Sequence, residues 1–155
     1  MSTLMQTALV LATVVAVSGC AGEWSDAAHA PADYKSTYKK ISDKCEQSTS
    51  HGNKYVLTYI SATAHDEWLA GKPLPKDAVL IKVGHSDSAC SEVTQYWTMK
   101  KTAEAGDIKD WTWQTLDEYG EVSQDDQSAL GGCAGCHTNY KANDFVGTPA
   151  PATGA

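Results

Sequence analysis

Arginine is missing from this chain of 155 residues, whose 12 cationic side chains are all lysine. No guanidinium is therefore available to fork onto a carboxylate or a phosphate. Basic charge is scarce as well. Asp and Glu number 19, the formal net charge is −7, and an acidic surface argues against nucleic acid while remaining compatible with a basic redox partner. Long apolar runs are absent too: the one extended run, Ala8 to Val17, is too short to cross a bilayer as a helix. Methionine is limited to Met1, Met5 and Met99, and there is no internal repeat.

The apolar run ends in Val17-Ser18-Gly19-Cys20. A short run closing in small residues reads as a signal peptide over residues 1–19. Its ending resembles a bacterial lipobox, which implies a lipidated Cys20; the alternative is an ordinary export signal cut nearby. The n-region has no Lys or Arg. Either way the protein is expected to be exported, and acyl chains on Cys20 would hold it to a membrane surface. Ala21 after that cysteine carries no acidic retention signal, which favours the outer membrane of a Gram-negative periplasm. Residues 20–32, small, polar and marked by Pro31, suit a flexible tether, and Gly147 to Ala155 suits a disordered tail.

Near the other end stands Cys133-Ala134-Gly135-Cys136-His137. The pattern C-x-x-C-H is the covalent attachment site of a c-type haem. Two thiols three residues apart can add to the two vinyl groups of one porphyrin, and the adjacent His137 then falls under the iron as proximal ligand. Ala134 and Gly135 let the backbone pass close to the macrocycle. A redox dithiol has no use for the histidine, and zinc needs four well-spread ligands, whereas no second pair stands at finger-like spacing. Cys45 and Cys90 remain. In an oxidising compartment they form either a disulfide, worth roughly 2–4 kcal/mol, or two buried free thiols.

Between these ends the periodicity predicts an α+β domain over residues 33–146. Tyr34, Tyr38, Ile41 and Cys45 recur at helical spacing, which predicts an amphipathic helix over Ala32 to Gln47. Strands are expected at Lys54 to Ile60, Ala78 to Gly84, Glu92 to Lys101 and Trp111 to Leu116. A short helix is expected over Ser61 to Leu69, a loop over Gly71 to Asp77, and a helix over Gln124 to Leu130. No methionine follows His137. Met99 falls in a strand where a core role is the simpler reading, and His29, His51, His65 and His85 read as surface residues. An iron without a strong sixth ligand is open on its distal side, so binding or catalysis at a small ligand outranks electron carriage. Sixth ligation by Met99 or a histidine would make the protein an electron carrier instead.

The segment His65-Asp66-Glu67-Trp68-Leu69-Ala70-Gly71-Lys72-Pro73-Leu74-Pro75 and the strand Val79-Leu80-Ile81-Lys82 are followed by Tyr96-Trp97-Thr98-Met99-Lys100 and Trp111-Thr112-Trp113. Then come the C-x-x-C-H run and Asp144-Phe145-Val146. Together, in this order, they resemble the cytochrome P-460 and cytochrome c′-β family. The resemblance implies a mainly antiparallel β-sheet with flanking helices, usually a homodimer, carrying one five-coordinate haem c. Members resembling cytochrome P-460 oxidise hydroxylamine and have a lysine cross-linked to the porphyrin, which in ungapped register falls on Lys82. Members resembling cytochrome c′-β bind nitric oxide without that bond.

Along Ala78 to Gly84, alternation puts Leu80 and Lys82 on one face. Lys82 there is either haem-linked or a strand lysine whose ammonium reaches solvent. The distal carboxylate and arginine of the hydroxylamine-oxidising members fall on Tyr96 and Val56. A tyrosine, with its usual pKa of about 10, is a poor proton acceptor at neutral pH, although Tyr96 could orient a ligand, and Glu92, Glu67 or Asp66 would have to substitute as base. The first expectation is thus a hydroxylamine oxidoreductase passing electrons to a cytochrome. The second is a nitric oxide-binding protein without turnover.

Overall fold

A computed structural model gives the fold of residues 23–150. The leader with Cys20 and residues 151–155 lie outside the described residues. The chain runs through α1 (Tyr34–Thr37), β1 (Tyr38–Lys40), β2 (Glu46–Ser48), β3 (Lys54–Ser61), α2 (His65–Leu69), β4 (Val79–His85) and β5 (Val93–Lys101). It closes with β6 (Trp111–Asp117), β7 (Val122–Gln124) and α3 (Gly131–His137). All pairings are antiparallel, in the order β1-β3-β4-β5-β6-β7, with β2 also on β3. The fold is therefore α+β and mainly an antiparallel sheet, as the resemblance implied.

Strand alternation divides the core between two faces. Ile60, Leu80, Met99, Trp111 and Trp113 pack on one face with Trp68, Leu74, Leu130, Phe145 and Val146. Val79, Ile81, Val83, Tyr96 and Leu116 pack on the other with Ala30 and Tyr34. The register explains this: Leu80 faces Met99, which faces Trp113, while Val83 faces Tyr96, which faces Leu116.

The expected helix over Ala32 to Gln47 is confined to Tyr34–Thr37. The physical reason lies in the two faces. Tyr34 joins one core and Ile41 the other, so their spacing is not a single stripe. The chain turns extended at Tyr38, satisfies the backbone of β3, and donates Ile41 N–H to Thr58 O at 2.9 Å. Cys45 and Cys90 are joined in a disulfide, with Cα atoms 6.0 Å apart, that ties the loop before β2 to the β4–β5 turn.

The helix expected over Gln124 to Leu130 is also absent. Gln124 ends β7, and side chains then take the backbone donors. Gln124 Oε1 accepts from the amides of Asp125 and Asp126, and Asp126 Oδ1 accepts from that of Ser128. Such local bonds compete with helix formation.

The tether reading fails for Glu23 to Ala32. Trp24 lies against Tyr34 and Tyr96, ring centroids 5.9 and 5.0 Å away, and donates Nε1–H to Ala30 O at 2.8 Å. Gly120 (φ 90°) leaves room for that indole, since a Cβ there would stand 2.1 Å from it. The tail reading fails for its first residues as well, because Thr148 O accepts from Trp68 Nε1 at 3.1 Å.

Two histidines read as surface residues are held in the fold: His85 is buried, and His29 spans Gln114 and Thr98. The His29 amide donates to Gln114 Oε1 at 2.8 Å, and its Nδ1 lies 3.3 Å from Thr98 Oγ1. Burial lowers the His29 pKa to about 4, Lys100 adds to the shift and Asp125 opposes it. The folded value lies below the usual 6.5, so the unfolded chain binds the extra proton. Stability should fall as pH drops through that window, by about 1–2 kcal/mol after allowing for partial exposure. Melting curves at pH 7 and pH 4 test this: a His29→Gln variant should lose less stability on acidification, and equal losses in both proteins would refute it.

Candidate functional site

The C-x-x-C-H segment forms α3 and packs over the face carrying Leu80, Lys82, Trp97, Met99 and Trp113, enclosing a cleft of about 250 Å³. The helix starts as Cys133 N–H reaches Leu130 O at 2.9 Å. It ends as Thr138 Oγ1 returns to Ala134 O at 2.9 Å. Cys133 and Cys136 are both free and partly exposed, and both line the cleft.

His137 is fixed by its ring. Its Nδ1 lies 2.6 Å from Phe145 O, and a carbonyl only accepts, so Nδ1 carries the proton and Nε2 keeps its lone pair. Trp113 stands edge-on at 4.8 Å. Trp113 is itself clamped by the Gln127 amide, which accepts from its N–H and donates to its C=O at 2.9 Å each. Burial lowers the His137 pKa, the Phe145 carbonyl opposes that and Lys82 adds to it.

The carbonyl comes from a sharp reversal. Asp144 and Phe145 take φ of 52° and 67°, uncommon for residues other than glycine, and Phe145 N–H returns to Tyr140 O at 2.9 Å. Phe145 and Val146 are buried. Their match to the family's Asp-Phe-Val run thus has a structural content: this turn aims an acceptor at the histidine.

Lys82 enters the cleft from β4, opposite Thr58 on β3 and Trp97 on β5. Burial lowers its pKa, with Cys136 opposing. Gly84 lets the Trp97 ring lie across the same face, where a Cβ would stand 2.6 Å from the indole.

His51 also lines the cleft, contrary to its reading as a surface residue. Its Nδ1 is engaged by the hydroxyls of Ser48 and Ser50 at 2.8 and 3.1 Å, and Trp97 stands edge-on at 4.8 Å. Burial lowers its pKa to about 3, helped by Lys82 and His137, so the imidazole is neutral at physiological pH. Neither His51 nor the Phe145 carbonyl was indicated by periodicity. One lies in a turn of three residues and the other is backbone.

Tyr96 is not in the cleft. Its neighbours on β5 alternate, so Trp97 and Met99 face α3 while Tyr96 packs with Trp24 and Tyr34 on the opposite face. The distal role expected for it is thereby corrected. Val56 lines an adjoining polar cleft of about 570 Å³, with Asp43 and Glu46, that meets the first at Thr58 and Lys82. Among the described residues lining the first cleft there is no Asp or Glu, so Asp66, Glu67 and Glu92 do not substitute.

The residues fit a haem. Two free thiols, the adjacent His137 imidazole with its Nδ1 engaged, a second imidazole at His51 and an aromatic wall meet in one cleft, which includes the donor chemistry the group requires. These features describe a haem-binding cytochrome built on an antiparallel sheet. The chain belongs to the cytochrome P460 family, whose model matches residues 31–148. No curated protein matches the chain.

Proposed function

We propose that the protein is an exported, lipid-anchored c-type cytochrome that oxidises hydroxylamine, with its haem held by Cys133, Cys136 and His137 and cross-linked through Lys82. The observation that carries this reading is the position of Lys82: a half-buried amine, its pKa lowered by desolvation, in the same cleft as both thiols. Partly desolvating an ammonium costs free energy, and a bond to the porphyrin would remove that cost. Haem, when bound, would supply a redox-active iron and a path for electrons.

The chain's own groups do the rest. His137 presents Nε2 with its donor strength raised by the bond from Nδ1–H to Phe145 O. Trp97, Trp113 and Leu80 exclude water. His51, neutral and tied at Nδ1 to two serine hydroxyls, leaves Nε2 to hydrogen-bond hydroxylamine in the cleft. Electrons go to a cytochrome, and the working unit is a homodimer, as in the family.

A second reading is favoured by one observation, that no Asp or Glu is among the described residues lining the cleft. An imidazole with pKa about 3 is a weaker base than an ordinary carboxylate, and an uncharged aromatic wall suits nitric oxide. In that reading the protein binds nitric oxide without turnover.

The deciding experiment is mass spectrometry of digested, denatured holoprotein, with hydroxylamine turnover measured against an artificial acceptor. The expected result is a haem joining the Cys133–His137 peptide to a Lys82 peptide, together with turnover. Haem attached through the two cysteines alone, with no turnover, leaves nitric oxide binding as the function.

A further inference from the structure

Lys101 lies at the far end of the face that carries the cleft, on the strand that also supplies Trp97 and Met99. Its side chain is 1 % exposed, and Nζ lies 2.6 Å from Asp144 Oδ2, itself on a side chain 7 % exposed. Nζ also donates to Leu74 O at 2.8 Å and sits 5.6 Å from the centre of the Trp111 ring. The same carboxylate oxygen accepts the Leu74 amide at 2.8 Å. Two unlike charges thus share one buried pocket with both polar groups of Leu74.

Such a pair is a poor device for stability alone, because removing two charges from water offsets much of their attraction. What it does secure is geometry. Asp144 is the first of two consecutive residues with positive φ. The next residue buries its ring and turns its carbonyl to His137 Nδ1 at 2.6 Å. Phe145 and Val146 pack their side chains into the core, and further on Thr148 accepts from Trp68 Nε1 at 3.1 Å and donates to Thr58 Oγ1 at 3.4 Å, but the backbone bonds of the reversal itself, Phe145 N–H to Tyr140 O and Val146 N–H to Asn143 O, stay within the segment. Within residues 144–146 the Asp144 carboxylate supplies the polar tie, to Lys101 on the sheet and to Leu74 in the loop before β4.

We infer that the buried Lys101–Asp144 pair is a positioning device for the proximal histidine: it holds the 144–146 reversal so that the Phe145 carbonyl takes the Nδ1 proton of His137 and sets the donor strength of Nε2. This rests on the reading of His137 as the iron ligand. A strong bond at Nδ1 pushes electron density to Nε2 and favours the oxidised iron. Loosening the pair should weaken the bond, raise the reduction potential and soften the iron–histidine bond.

The test uses full-length holoprotein. Asp144→Asn retains a residue that tolerates positive φ and can still accept from the Leu74 amide; Lys101→Met keeps the side-chain length. The reduction potential and the iron–histidine stretching band of the ferrous protein are read by spectroelectrochemistry and resonance Raman. Both variants should move the reduction equilibrium by about tenfold, about 59 mV for one electron, and lower the stretching frequency. A Cys45→Ser/Cys90→Ser control, destabilised elsewhere, should move neither. Unchanged potential and band in a folded Asp144→Asn holoprotein would overturn the inference, as would an equal shift in the control. A five-coordinate high-spin ferrous parent protein without an iron–histidine band would overturn the His137 reading itself and the inference with it.

Discussion

A Lys82→Met chain, matured with haem, is expected to hold haem through Cys133 and Cys136 alone and to lose roughly 10- to 100-fold in hydroxylamine turnover, while still binding nitric oxide. Methionine replaces the stem atom for atom and removes only the amine, so the wall formed with Thr58, Leu80 and Trp97 should persist. The same substitution should act with the opposite sign on the protein without haem. There burial depresses the lysine pKa, so the unfolded chain binds the proton more readily and folding carries a cost at neutral pH. That cost fades as pH rises towards the ordinary lysine range, and methionine removes it at every pH. The haem-free variant should therefore unfold at higher denaturant than the haem-free parent at pH 7, and the difference should shrink at alkaline pH. Full turnover by the haem-loaded variant would refute the role of Lys82, and a less stable haem-free variant would show that its amine is not desolvated.

The parts legible in the sequence were those with a period or a fixed motif. The four long strands follow from alternation and β-branched or aromatic content, and alternation also placed Lys82 and Leu80 on one face, where they are found beside α3. Misreadings arose where apolar residues serve both faces. Tyr34 and Ile41 mimic a helical stripe because each fills a different core, a distinction that no single segment contains. Tyr96 shows the limit of an ungapped register: one residue of offset on a strand exchanges faces, and its neighbour Trp97 is the residue that enters the cleft. His51 was hidden for another reason. It reaches the cleft from the 3₁₀ turn that connects β2 to β3, and β2 is the polar run Glu46-Gln47-Ser48, with no apolar alternation to mark the hairpin.

The two faces also differ in what they can tolerate. The face away from α3 is closed by Trp24, Tyr34 and Tyr96, an aromatic cluster with ring centroids 5.0–5.9 Å apart. Burial raises the pKa of both the Tyr34 and Tyr96 hydroxyls, that of Tyr34 the more strongly. Its chemistry is packing. The face beneath α3 instead holds Lys82, His51 and His137 in the cleft and Lys101 with Asp144 at its end, while His29 against Thr98 is the titratable exception on the other face. One sheet thus separates the residues that stabilise the domain from those that would serve a bound haem.

Asp144→Ala is expected to destabilise the protein by about 4–5 kcal/mol, a large share of the stability of a domain this size. Most of that arises from what remains. Lys101 would be left 1 % exposed with only the Leu74 carbonyl as partner, and breaking one side of a buried pair costs about 3–5 kcal/mol. A further contribution of about 1 kcal/mol comes from the backbone, since alanine at φ 52° lacks the local bonds that let Asp or Asn adopt that region. The Leu74 amide also loses its acceptor. A double variant, Lys101→Met/Asp144→Asn, removes both charges and keeps a residue suited to the turn. It should recover most of the loss, because the penalty belongs to the unpaired charge and not to the absence of the pair. Denaturant unfolding of the three proteins measures these differences. A double variant no more stable than Asp144→Ala would mean that the ion pair itself, and not the cost of stranding Lys101, holds this end of the sheet to the segment that follows His137.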